Sequence, residues 1–159
     1  MPRDKNDADG AKAIAAIGFP SALPVLDDII RWLRIVNAPV VDVFSDLLAQ
    51  SPEFCTSTVG HVLGMGACDS TKYVLVSRVV PRWPREHLAK ITWALQTLLT
   101  HTAFHDTDLR CIDLLEQHSL SKRDWLAKWT EFKVRRLRTH LSLALTLTER
   151  LAGPDRDQR

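Results

Sequence analysis

The sequence predicts an all-α chain, a small stacked array of about seven or eight helices. Three observations carry this. Apolar residues recur at helical spacing along most of the chain. Proline and glycine fall where helices start and stop. The links between the apolar segments are only a few residues long.

A first helix is predicted from about Asp7, with Ile14 and Ile17 inward and Gly18 as its stop. In "FPSALPVLDDIIRWLRIV", Ser21 can cap and Pro24 falls in the first turn, where its missing N–H costs little. Leu26, Ile29, Ile30, Leu33 and Val36 then recur at helical spacing. Asp27 and Asp28 lie near the start and Arg31 and Arg34 near the end, an order that suits the helix dipole. Pro39 disfavours the α conformation at Ala38 and cannot donate a backbone hydrogen bond. One helix therefore ends near Val36, and the next runs from Pro39 to about Ala49. Its apolar side is Val40, Val43, Phe44, Leu47 and Leu48. So short a corner predicts close, roughly antiparallel contact between the two.

Ser51, Pro52 and Glu53 open another helix, which fades at Gly64 to Gly66. Asp69 or Ser70 opens "TKYVLVSRVV", whose β-branched residues leave residues 70–80 open between strand and helix. Pro84 starts "PREHLAKITWALQTLLT", a helix with Leu88, Ile91, Leu95 and Leu98 inward. Another starts at Asp106 and carries Leu109, Ile112 and Leu115. The last begins at Ser121, with Asp124 placed as in a capping box. Trp125, Trp129, Phe132, Leu137, Leu141, Leu145 and Leu151 continue it, as one helix of about thirty residues or two joined near Thr130. The chain thus reads as one domain over residues 1–153, with a long basic helix at 121–151 packed on the rest and a frayed tail at 154–159. The rhythm of helix, tight corner, helix is that of a HEAT-like array; a compact helical bundle is the alternative.

A length of 159 residues suits a single core, and 45% hydrophobic with 25% charged residues is ordinary for a globular protein. No apolar run is long enough to span a bilayer, and "MPRDKNDADG" lacks the apolar centre of a secretory signal, so a cytoplasmic location is expected. Cys55, Cys68 and Cys111 are odd in number and lack C-x-x-C spacing, which argues against a disulfide framework or zinc ribbon. The net charge of +2 is unevenly spread. Residues 122–140 hold seven cations against two acids, a net +5, while the remaining 14 cations and 17 acids leave −3 elsewhere.

"PRDKNDADGAKAIAAIGFPSALPVLDDIIRWLRIVNAPV" resembles the opening of a bacterial family known only as a domain of unknown function (serial number five thousand and seventy-one). The likeness rests on Pro2 to Lys5, on Gly18-Phe19-Pro20, and on Trp32-Leu33 followed by Asn37-Ala38-Pro39-Val40. It continues through Asp69, Thr71-Lys72-Tyr73 and "PRWPRE", and covers about residues 2–118. The resemblance implies an all-helical HEAT-like fold and supplies no catalytic residues. This chain departs from the pattern at Ala38 and Thr71, where tryptophan is expected, and at Ile35, where an acid is expected.

His101 and His105 share a helical face, and Asp106 and Asp108 follow. The pattern lacks the glutamate of H-E-x-x-H, so a hydrolase or metal enzyme built on His101, His105 and Asp106 stands only as an alternative. No nucleophile elbow, P-loop or dinucleotide fingerprint is present, and no cofactor is expected. Trp83, between Arg82 and Pro84, is the tryptophan expected to be exposed. The candidate partner-binding residues are Arg82, Trp83 and Arg85 with Lys133, Arg135, Arg136 and Arg138. The reading is a non-catalytic protein–protein binding module, in its most concrete form an immunity-type inhibitor of a bacterial toxin or another acidic protein face. The alternative partner is nucleic acid, held by the basic residues of the last helix. No membrane partner is expected.

Overall fold

The structure, a computed structural model, describes residues 1–65, 68–101 and 106–151, with the side chains of His101, Asp106 and Leu151 outside the description. The described residues form helices joined by short turns and contain no strand. The α-helices are α1 (Ala8–Ile17), α2 (Leu26–Trp32), α3 (Pro39–Gln50), α4 (Pro52–Met65), α5 (Asp69–Val74), α6 (Arg85–Lys90), α7 (Thr92–His101), α8 (Asp106–Gln117) and α9 (Arg123–Leu151). Among them α1, α3, α5 with its continuation, and α8 pack side by side in that order. A second row is formed by α4 with α6 and α7, and α9 lies on α8.

The helix ends follow from local chemistry. The Asp7 carboxylate accepts from the Gly10 N–H at 3.0 Å and caps α1. Gly18 closes α1 with φ of 66°, a conformation glycine adopts without cost. Ser21 makes no side-chain cap; α2 is entered through a 3₁₀ turn at Leu23–Val25. Beyond α2 a 3₁₀ turn at Leu33–Ile35 tightens the chain. Val36 then reverses it at φ 48°, Ala38 is extended, and Pro39 begins α3, so the corner forms as the proline position predicts.

Residues 70–80 are helical. α5 widens into a π turn at Leu75–Val79 and then a 3₁₀ turn at Val80–Arg82. Pro81 explains the widening: it has no N–H for the Ser77 carbonyl, and its ring would clash with that group in a regular helix. The register against α3 is regular. Arg78 pairs with Asp42 and Arg82 with Asp46, both at a separation of 36 in sequence. Two pairs four apart on each partner mean that the two segments run side by side in the same direction. The Trp83 indole N–H closes the end of this seam on the Leu48 carbonyl at 3.2 Å.

The segment from Pro84 is not one helix. It breaks at Ile91, with φ −108° and ψ 9°, into α6 and α7. Thr92 bonds back to the Leu88 carbonyl, a competitor for the backbone ladder that favours a bend. The bend lets Ile91 and Trp93 lie against α4, where there is no side chain to block them. A methyl at Gly60 would sit 2.8 Å from Ile91 Cγ2, and one at Gly64 would sit 2.5 Å from the Trp93 ring.

Ile91 is buried, so it has little room to yield. Gly60→Ala is expected to cost about 1–3 kcal/mol of stability through overpacking, although alanine is the better helix former by about 1 kcal/mol. Urea denaturation measures this, and an unchanged or raised midpoint would show that α4 and α7 can part freely.

Candidate functional site

α9 is one continuous helix of 29 residues, starting at Arg123 rather than Ser121. The Ser121 hydroxyl is engaged elsewhere, accepting from the Gln96 amide at 2.7 Å. The first half of α9 is rooted. Leu126 joins the core, and Trp125 packs against it. Trp125, Trp129 and Phe132 form an aromatic ladder with centroids 5.9 and 5.5 Å apart, and the Arg136 guanidinium lies 5.9 Å over the Phe132 ring.

Lys133 corrects the sequence reading. It is not a surface cation: its side chain is 1% exposed and donates to the Asp108 carboxylate at 2.6 Å, with Asp108 0% exposed. The amphipathic pattern could not separate Lys133 from the neighbouring arginines because its partner lies 25 residues away on α8. Beside this pair, burial pushes the Cys111 thiol far up, with the Asp108 charge adding and Lys133 opposing.

Past Val134, every residue of α9 through Arg150 is exposed. Leu141, Leu143, Leu145 and Leu147 are each more than half exposed, and Leu137 is 37% exposed. At about 100° per residue, Leu137, Leu141 and Leu145 share one stripe. That stripe continues the line of Ala127, Thr130 and Val134 on the rooted half. Leu143 and Leu147 lie on the far side, in line with Phe132 and Arg136. Arg135 pairs with Glu131 at 3.0 Å, both largely exposed. Along the first stripe runs an open groove of about 530 Å³ between α8 and α9, floored by Ile112, Leu126, Ala127, Thr130 and Val134 and edged by Glu131 and Arg138.

The other predicted residues lie elsewhere. Trp83 is 2% exposed, a correction to its expected exposure: the corner folds it inward because its N–H has a carbonyl to meet. Arg82 is half-exposed in its pair with Asp46. Arg85 donates to the His118 carbonyl at 2.9 Å and ties α6 to the end of α8. The structure therefore groups Arg135, Arg136 and Arg138 on one projecting helix and separates Arg82, Trp83 and Arg85 from them by element. His105 lies outside the described residues, as do the side chains of His101 and Asp106. Among the described residues no group of three or more His, Cys, Asp or Glu could hold a metal ion.

One polar contact escaped the sequence reading. Thr56 Oγ1 lies 2.6 Å from the Pro52 carbonyl and 2.9 Å from His87 Nδ1, all buried. The carbonyl can only accept, so the hydroxyl proton goes to it and His87 Nδ1–H donates to Thr56. The hydroxyl is thus satisfied as a tie between α4 and α6. The cysteines differ in availability. Burial pushes the Cys55 thiol up to about 12. At exposed Cys68 burial also raises the thiol, but hydrogen bonds from Thr71 and from the Ser70 backbone, with the Arg34 charge, outweigh it and leave it below the ordinary range.

Lys133→Ala is expected to cost about 3–5 kcal/mol by breaking a buried ion pair, whereas Arg135→Ala should cost under about 1 kcal/mol because its pair is exposed. Urea midpoints at constant m decide this; equal effects would remove the anchoring role of Lys133. A thiol reagent at neutral pH should label Cys68 in the native chain and leave Cys55 and Cys111 until denaturant is added. Mass mapping of labelled peptides checks the order.

The model of a family described as a domain of unknown function, DUF5071, matches residues 1–120. No curated protein and no solved structure matches the chain. The match takes in α1 to α8 and stops before α9. By this match across most of its length, the chain belongs to the DUF5071 family.

Proposed function

We propose that this chain is a non-catalytic protein-binding module whose recognition element is α9. One observation carries the reading: sixteen consecutive helical residues, 135–150, are exposed and bear five leucines on two sides, with Arg135 and Arg138 at their margins and Arg136 in line with Leu143 and Leu147. A soluble surface rarely leaves so many large apolar side chains together without a use. An amphipathic helix with a basic margin fits a partner with an apolar groove and an acidic rim. Nucleic acid would satisfy the arginines but leave the leucines in water, so protein is the better match. A toxin-neutralising inhibitor is the specific form of this reading, since such a protein needs only a rigid surface. A stacked helical scaffold, if HEAT-like as the resemblance implies, would hold that surface steady.

The test is affinity capture of the full tagged chain from a lysate of its native host, with nuclease and at high salt. The expected result is a stoichiometric protein partner, lost in the Leu143→Asp/Leu147→Asp variant while circular dichroism stays unchanged. Recovery of nucleic acid that nuclease removes, or a partner indifferent to both substitutions, would overturn the assignment to α9.

A further inference from the structure

We infer that the groove beside α9 is filled by the projecting half of α9 from a second copy of this chain, giving a two-fold antiparallel dimer. This rests on α9 being the recognition element and names the partner of one of its two sides. The first ground is self-complementarity. The leucine stripe of the projecting half and the α9 side of the groove, Ala127, Thr130 and Val134, are one line on one helix, so a two-fold axis between the halves lays each stripe in the other's groove.

The second ground is length. The rooted part runs for a little over three turns and the projecting part for a little over four, so an antiparallel pair overlaps over about 40 Å. At a helix width of about 10 Å the overlap removes on the order of 800 Å² in total, before the α8 wall is counted. That approaches the roughly 1,000 Å² a specific interface needs.

The third ground is register and charge. Setting Val134 opposite Leu137 of the second copy brings Thr130 opposite its Leu141 and Ala127 opposite its Ala144. The same register places Glu131 beside Arg138 of the second copy, and the two-fold repeats that pair. Within one chain Glu131 bonds the exposed Arg135, an arrangement that can be exchanged at little cost. The far side, with Phe132, Arg136, Leu143 and Leu147, stays open for a different protein.

The experiment is sedimentation equilibrium of the full chain at about 0.1 mM, where micromolar affinities are saturated. The expected mass is twice the 18.0 kDa of one chain. Arg138→Glu should raise the dissociation constant roughly a hundredfold by creating two like-charge contacts, and Glu131→Arg combined with Arg138→Glu should restore the dimer. A wild-type monomer, or a dimer indifferent to both variants, overturns the inference. A monomer that still captures a protein through Leu143 and Leu147 overturns the pairing alone. A charge-sensitive dimer whose captured proteins ignore Leu143→Asp/Leu147→Asp supports the pairing and overturns the heterologous reading.

Discussion

The fold is organised by the need to cover α3. Seven of its twelve residues are buried: Val40, Val41, Phe44, Ser45, Leu47, Leu48 and Ala49. That is more than one apolar stripe, so a single neighbour cannot shield it. It packs against α1, α2, α4 and the π-turn segment after α5. The strip left over carries Asp42 and Asp46, and Arg78 and Arg82 close on it. These exposed pairs add little stability. Their value is registration, because only one sliding position of the two segments satisfies both.

Much of this was legible because it was local. Asp7, Gly18, Ala38 and Pro39 act on their own backbone, and a backbone rule needs no neighbour. What the sequence hid depended on partners far along the chain. Trp83 looks exposed beside two prolines and is buried because the Leu48 carbonyl awaits its indole. Lys133 looks like one cation among several and is buried because Asp108 lies opposite. The break at Ile91 is invisible to periodicity, since both halves carry good helical spacing; it answers to bare glycines on α4. The projecting stripe had the reverse problem. Leu137, Leu141 and Leu145 read as core from their spacing, and only the structure shows that the domain stops before them.

That half of α9 is an unusual physical object. A free helix of sixteen residues is marginal in water because nucleation is unfavourable. Here the rooted half supplies the nucleus, and residues 135–150 need only propagate. The apolar cost is still unmet. Burying a leucine is worth roughly 1.5–3 kcal/mol, and five are largely or partly in water. The helix therefore holds binding free energy in a preformed shape, and a partner would find little ordering left to do.

The buried pair of Lys133 and Asp108 explains how that shape is aimed. An apolar contact alone would tolerate some rolling of α9 on α8. A charge pair at 2.6 Å with both side chains out of water does not, because any rotation takes the Lys133 ammonium off its carboxylate where no water can replace it. The family match ends at residue 120, so it takes in Asp108 and stops short of Lys133. A helix bound only by leucines could be re-angled with small effect on the core. One that shares a buried charge pair with it is held at one rotation, and that constraint fixes which leucines of α9 continue the groove and which face away.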